Sequence, residues 1–393
     1  MASFDVSKEW VILAPLIPAV QTAAAELSSY IEKLRERAGL APKAPAIEDA
    51  AGPAPADSVP IILLNAGAGD PGRSGFTWRM GRGRVEIYGD SGRGLCNGVF
   101  DFLAALGIRW PEPGREELPP PPAQAAKKTT GKPELPRAAI HTPRAAIPPC
   151  AAYPLRDDRA YTPSDTAPQK RRRLMIPLTI APEKVKPRDL EPLVQWAARN
   201  RIDALVFSLR EKSLWKKFLR DNKPRGKKSR RLKLFETAGN YALIIEWGGW
   251  DLSFLVPRRY FFINRELFRM DSGKRLKQYN FCPTNHETIK VLKKQAAAIF
   301  READSAAGGN EGRIYHLWPD RGEERTWCSC PACRAFSPEE QNRIAVNAAA
   351  DALAETDPKA RLSWYEENGD SPESELPLRE NLFRLTDFPQ SAQ

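Results

Sequence analysis

The chain has 393 residues, 42% of them hydrophobic, and a formal charge of +11. That length exceeds one ordinary core, so two globular domains with connecting material are expected, and the 36 prolines predict a sizeable irregular segment between them. No stretch is long and apolar enough to cross a bilayer, and six cysteines in so long a chain exclude a disulfide scaffold.

The segment from Met1 to Glu9 is polar and charged, and the apolar run after it has no basic stretch before it. A secretory leader is therefore not expected, and a cytoplasmic location is the default. Trp10-Val-Ile-Leu13 reads as a strand, and Val20, Ala24, Leu27, Ile31 and Leu34 recur at helical spacing. Ile61-Ile-Leu-Leu64 reads as a buried strand. Phe76 to Met80 and Val85 to Tyr88 read as a hairpin about Gly81-Arg-Gly83, and Val99, Phe100, Phe102, Leu103 and Leu106 mark a last helix. Gly67-Ala-Gly69-Asp-Pro-Gly72 has the glycine spacing of a dinucleotide fingerprint, but Pro71 and the hairpin leave no helix N-terminus for a pyrophosphate. Residues 1–112 are thus read as a small α/β domain and 113–169 as a proline-rich linker, with four consecutive prolines from Pro119 to Pro122.

Strands and helices alternate through 170–393. Strands are expected at Leu174–Leu178, Ala204–Phe207, Tyr241–Ile245, Tyr279–Cys282, Ile314–Trp318, Leu362–Tyr365 and Leu382–Leu385. Helices are expected around Leu190–Trp196, from His286 to Ala303, and through Ile344 and Leu353. This alternation predicts a parallel sheet, here a (β/α) TIM-like barrel; seven strands are found and no convincing eighth, so the barrel could be closed or incomplete. Much of the positive charge sits in Lys170–Arg173 and Lys223–Lys233, without interleaved aromatics or a reading motif, so solvated charge is preferred to nucleic-acid binding.

Two sets of motifs carry a family resemblance. Glu86-Ile-Tyr-Gly-Asp90-Ser-Gly-Arg-Gly-Leu-Cys-Asn-Gly-Val-Phe-Asp101, followed by Gly107-Ile-Arg-Trp110, resembles the small domain that precedes the barrel in α-glucuronidases and β-N-acetylhexosaminidases. Leu255-Val-Pro257, Tyr260-Phe261, Gly273-Lys-Arg275, Cys282-Pro-Thr-Asn285 and Cys328-Ser-Cys330-Pro-Ala-Cys333 are similar to a bacterial family whose glycoside-hydrolase-like barrel, of unassigned function, is joined to that domain. The resemblance implies a glycoside-hydrolase fold and a carbohydrate ligand.

Sugar-bond hydrolysis takes two carboxyls flanking the scissile bond. Asp320 follows the strand ending at Trp318, Glu323 and Glu324 share its loop, and Glu366 follows the strand ending at Tyr365, so all four are candidate catalytic groups. Solvated loop charge is the common alternative for each. Trp250 and Trp318 could stack on a sugar face or pack a core, and Arg259, Arg275 and Asn285 could bind hydroxyls or a sugar carboxylate or be structural. Cys282, Cys328, Cys330 and Cys333 could hold a structural zinc, form a disulfide, or remain packed thiols. No cofactor is required, and a non-catalytic carbohydrate-binding or scaffold protein on the same fold is the alternative to a hydrolase.

Overall fold

The computed structural model describes residues 4–65, 75–81, 83–119, 172–176, 187–207, 232–249, 252–306, 313–320, 326–365, 376–385 and 390–391. Trp250, Glu323, Glu324, Glu366, the Gly67–Gly72 segment, most of the expected linker and most of the two basic runs lie outside them. Contacts divide the chain into two compact units: Met1–Arg172, Pro187–Asp203 and Lys233–Ile244 form the first, and Arg173–Lys186, Ala204–Leu232 and Ile245–Gln393 the second.

In the first unit, β1 (Trp10–Ala14), β2 (Ala46–Asp49), β3 (Val59–Asn65), β4 (Phe76–Gly81) and β5 (Arg84–Gly89) form one sheet in the order β2-β1-β3-β5-β4. All neighbours are parallel except the β4–β5 hairpin. Helix α1 (Pro18–Arg37) opens on a proline, where a missing N–H costs nothing, and buries Val20, Ala24, Leu27, Ile31 and Leu34 on one face. Helix α2 (Gly92–Ala105) is capped by Ser91, whose hydroxyl accepts from the Gly94 N–H at 3.0 Å.

Chain approach around the β5–α2 turn accounts for two of its glycines. A Cβ at Gly89 would lie 2.3 Å from the Leu95 nitrogen, and one at Gly94 would lie 2.3 Å from the Gly75 carbonyl. Between them, the buried Arg93 donates to the carbonyls of Ala198 (3.1 Å), Ile202 (2.5 Å) and Tyr241 (3.1 Å). These carbonyls lie at or just past the ends of α3 (Pro187–Arg199) and α4 (Leu232–Asn240), where unpaired acceptors favour a cation. One side chain from α2 therefore ties two helices from far along the chain into this unit.

In the second unit, β6 (Arg173–Ile176), β7 (Ala204–Phe207), β8 (Ile244–Gly249), β11 (Ile314–Leu317), β12 (Arg361–Trp364), β13 (Leu382–Arg384) and β14 (Gln390–Ser391) form a seven-stranded sheet in the order β13-β12-β11-β8-β7-β6-β14. A two-stranded ribbon, β9 (Met270–Asp271) with β10 (Lys274–Arg275), stands apart from it. Consecutive strands lie side by side, and the pairings of β6 with β7 and of β8, β11, β12 and β13 in turn are parallel. That is the order of a (β/α) barrel; a doubly wound sheet would reverse at its middle. The last strand returns to pair with the first, β14 parallel to β6. Among the described residues no pairing joins β13 to β14, which is consistent with an incomplete barrel.

Helices α5 (His286–Ala306) and α6 (Pro338–Thr356) connect β8 to β11 and β11 to β12. Tyr315 and Trp364 meet them on the outer face of the sheet: Phe300 of α5 lies edge-on to Tyr315 with centroids 4.7 Å apart, and Arg343 of α6 lies 5.3 Å over the Trp364 ring.

Two expected strands differ. Tyr279–Cys282 is not in the sheet. Tyr279 has a left-handed backbone (φ +60°), and Phe281 makes only an isolated antiparallel bridge to Phe268. Its apolar run is buried by loop packing, Phe281 against Trp327 and Cys282 among other cysteines, which reads in sequence like a strand. The strand expected from Tyr241 begins instead at Ile244, because Ala242 is also left-handed (φ +50°).

Candidate functional site

His316 on β11 is in register with Gly248 on β8 and Ser363 on β12. Side chains alternate along a strand, so Glu246, His316 and Ser363 point to one face of the sheet, opposite to Trp247, Tyr315 and Trp364. Glu246, His316 and Ser363 are each 0% exposed. Arg173 on β6 reaches the Glu246 carboxylate with Nε–Oε2 at 2.5 Å and Nη2–Oε1 at 3.3 Å. His316 Nε2 lies 2.8 Å from the same Oε2, and Nδ1 lies 2.6 Å from Ser363 Oγ. The Trp318 indole N–H donates to Ser363 Oγ at 3.1 Å. Trp318 can only donate and an ionised Glu246 only accept, so Ser363 Oγ accepts from the indole and His316 Nε2 donates to the carboxylate. The result is a polar ladder through four strands in which the buried carboxylate is paired with a buried guanidinium.

Gly248 makes room for it. Its backbone is left-handed (φ +113°), and a Cβ there would stand 1.8 Å from the His316 carbonyl oxygen. No side chain fits, so β8 and β11 approach here only through glycine.

Above the ladder, the loop after β8 and the loop after β11 leave the same edge of the parallel sheet. Backbone bonds join them at the root: Trp318 N–H to the Gly249 carbonyl (2.7 Å) and Leu252 N–H to the Trp318 carbonyl (3.0 Å). Asp320 lies just beyond. Its Oδ2 accepts from Ser253 Oγ at 2.6 Å and pairs with Arg258 Nη2 at 3.3 Å. The fully buried Asn280 acts as a substitute strand, accepting from the Asp320 N–H at 2.9 Å and donating to its carbonyl at 3.3 Å. Burial pushes the Arg258 guanidinium below its usual range, and Asp320 opposes that fall. The 3-10 turn Arg258–Phe262 carries on from the pair and presents Phe262 to solvent, 78% exposed.

The third feature of this rim is sulfur. Cys282 from the first loop and Cys328, Cys330 and Cys333 from the second are all buried, none in a disulfide, with their Sγ atoms within 4.8 Å of one another. Hydrogen bonds from Cys328 and then Cys333 hold the Cys282 thiol far below its usual range; the bond to Cys282 pushes Cys328 up to about 11 and drives Cys333 upward as well. Gln341 in the first turn of α6 fixes the loop, accepting from Cys328 N–H (3.1 Å) and donating to the carbonyls of Cys328 (3.1 Å) and Cys333 (3.3 Å).

The residues singled out from sequence fall in different places. Asp320 and the four cysteines come together on the rim as described. Trp318 is completely buried, its ring beside His316 and its N–H committed to Ser363, so it packs the interior and offers no face to a ligand. Asn285 accepts from the N–H groups of Glu287 and Thr288 at the start of α5 and donates to the Glu266 carbonyl. Arg275 donates to the Phe268 carbonyl at 2.8 Å, pairs with Glu266 and lies 3.8 Å from Cys328 Sγ. Arg259 is exposed, over the Tyr260 ring. The sequence reading did not single out Arg173, Glu246 or Ser363 and gave His316 no role. The available signal was a carboxylate inside the apolar run Ile244-Ile-Glu246-Trp247, which must have a partner if that run is a buried strand.

No protein-family model matches the chain, nor does any curated protein. Among solved structures it is similar to a Flavobacterium johnsoniae chitobiase of glycoside hydrolase family 20, with a TM-score of 0.52 at 14% identity over 97% of this chain and 52% of that one. The fold is glycoside-hydrolase-like. A family 20 exo-β-N-acetylglucosaminidase from Vibrio harveyi, solved with N-acetylglucosamine, gives a TM-score of 0.48 at 12% identity over 97% of this chain and 54% of that one. A family 20 β-N-acetylhexosaminidase from Streptomyces coelicolor gives 0.48 at 13%, over 94% and 68%. The chain thus spans about half the length of the first two of these proteins. Among the described residues, no helix is long and apolar enough to cross a membrane.

Proposed function

We propose that the chain acts on a polysaccharide or glycoside, with Asp320 as the leading carboxyl and Glu323, Glu324 or Glu366 supplying the second. The observation that carries this reading is the position of Asp320. It stands on the loop after a central strand, at the edge where barrels of this kind place their chemistry, and the neighbouring loop after β8 holds its backbone and one carboxylate oxygen in place through Asn280 and Ser253. The ladder below is not the second acid. Glu246 is one residue before Trp247, which is level with Tyr315, so it stands six residues, or up to about 20 Å of extended chain, below Asp320. Phe262, four residues past Arg258 and about 8 Å along the same 3-10 turn, is suited to stacking on the apolar face of a sugar.

The test is turnover of aryl glycosides, including a β-N-acetylglucosaminide and an α-glucuronide, by the full chain and by Asp320→Asn. The reading predicts hydrolysis of at least one and a loss of at least about a hundredfold in Asp320→Asn. A second reading, a carbohydrate-binding protein without catalysis, is favoured by the engagement of Asp320 Oδ2 by both Ser253 and Arg258. It predicts no turnover, with glycan affinity that survives Asp320→Asn and falls in Phe262→Ala.

A further inference from the structure

We infer that Cys282, Cys328, Cys330 and Cys333 form a closed structural zinc site that clamps the loop after β8 to the loop after β11. Zinc held by four thiolates at about 2.3 Å is tetrahedral, which sets the sulfurs about 3.8 Å apart. The Sγ of Cys282 lies 3.7 Å from that of Cys330 and 3.6 Å from that of Cys333, and all four lie within 4.8 Å of one another. A disulfide would bring two of them to about 2 Å, and none of the four is so paired.

The surroundings are also those of thiolates. The Met270 N–H donates to Cys328 Sγ at 3.2 Å, the Cys330 N–H reaches the same sulfur at 3.5 Å, and Arg275 Nη1 lies 3.8 Å from it. Thr284 Oγ1 lies 3.1 Å from Cys333 Sγ and 3.6 Å from Cys282 Sγ. Donors directed at sulfur, and a nearby guanidinium, offset the negative charge that four thiolates around one divalent ion would leave. With all four positions supplied by protein and every ligand buried, there is no open coordination position for a substrate, so the ion is structural. It joins residues 46 or more positions apart in sequence, across the two loops that hold Asp320, and this inference does not depend on what that rim binds.

The full chain, purified without metal affinity, is predicted to carry about one zinc per molecule by elemental mass spectrometry. Its cobalt-substituted form should show the intense visible absorption of a tetrahedral cobalt–thiolate centre. Cys330→Ser and Cys333→Ser should lose the metal, whereas Cys96→Ser, at a buried thiol of the other unit, should retain it. Should the serine variants fail to fold, the unaltered chain still decides the matter. Chelation should expose four reactive thiols and lower the thermal midpoint, and added zinc should reverse both. Purified protein without bound metal, with iron in place of zinc, or with a Cys282–Cys333 disulfide would overturn the assignment.

Discussion

Replacing Glu246 by Gln removes one negative charge from the interior of the sheet and leaves the Arg173 guanidinium, 6% exposed, with its principal partner neutralised. Breaking a buried pair from one side costs about 3–5 kcal/mol, because the remaining charge stays desolvated. The urea midpoint of Glu246→Gln should fall accordingly, and the double variant Glu246→Gln, Arg173→Met should recover much of the loss, the sign of coupling rather than of general damage. Asp203 of the first unit provides a second test. Burial alone would raise its pKa, but Arg172 and Arg93 outweigh that and hold it below 3.8. An acid with a depressed folded pKa contributes stability that is complete above the unfolded value and is lost as pH falls through the folded one. Unfolding free energy should therefore drop below about pH 4, and less steeply in Asp203→Asn, which starts from a lower value. A pH dependence as steep in the variant as in the unaltered chain would contradict this role.

At the scale of elements, helix α6 is held at its start by a capping box: Ser337 Oγ accepts from the Glu340 N–H at 3.1 Å and the Glu340 carboxylate accepts from the Ser337 N–H at 2.8 Å. Ser337→Ala should cost about 1 kcal/mol in stability. Because Gln341 follows at once and fixes the cysteine loop, the same change should speed hydrogen exchange at residues 328–336. Equal slowing or no change there would separate the cap from the loop. The apolar spacing through Ile344 and Leu353 made this helix legible in the sequence, as did the helical spacing of α1 and the hairpin β4–β5, whereas its capping box is seen only in the structure. Where periodicity is absent the reading failed. Ala46–Asp49 is a four-residue, largely exposed edge strand with no apolar alternation, and Tyr279–Cys282 is apolar because a loop buries it. A hydrophobic run reports burial, and only the backbone, here the left-handed Tyr279, distinguishes a loop core from a strand.

At the scale of the whole chain, alternation of strands and helices was enough to foresee a (β/α) barrel, and strand ends were enough to direct attention to its C-terminal edge. Asp320 and the four cysteines were legible because loop carboxylates and clustered thiols stand out in any sequence. The polar ladder was not, since Arg173, Glu246, His316 and Ser363 are separated by up to 190 positions and only sheet register brings them together. The same register makes Gly248 indispensable, although in sequence it is one glycine in an unremarked Gly248-Gly249 pair.

On the proposed function, ligand chemistry belongs to the rim formed by the loops after β8 and β11. Hydrogen exchange on Asp320→Asn, with and without the aryl glycoside that the unaltered chain hydrolyses, tests this directly. The prediction is protection concentrated in residues 252–283 and 318–337; protection confined to the first unit, or no aryl glycoside hydrolysed at all, would contradict it.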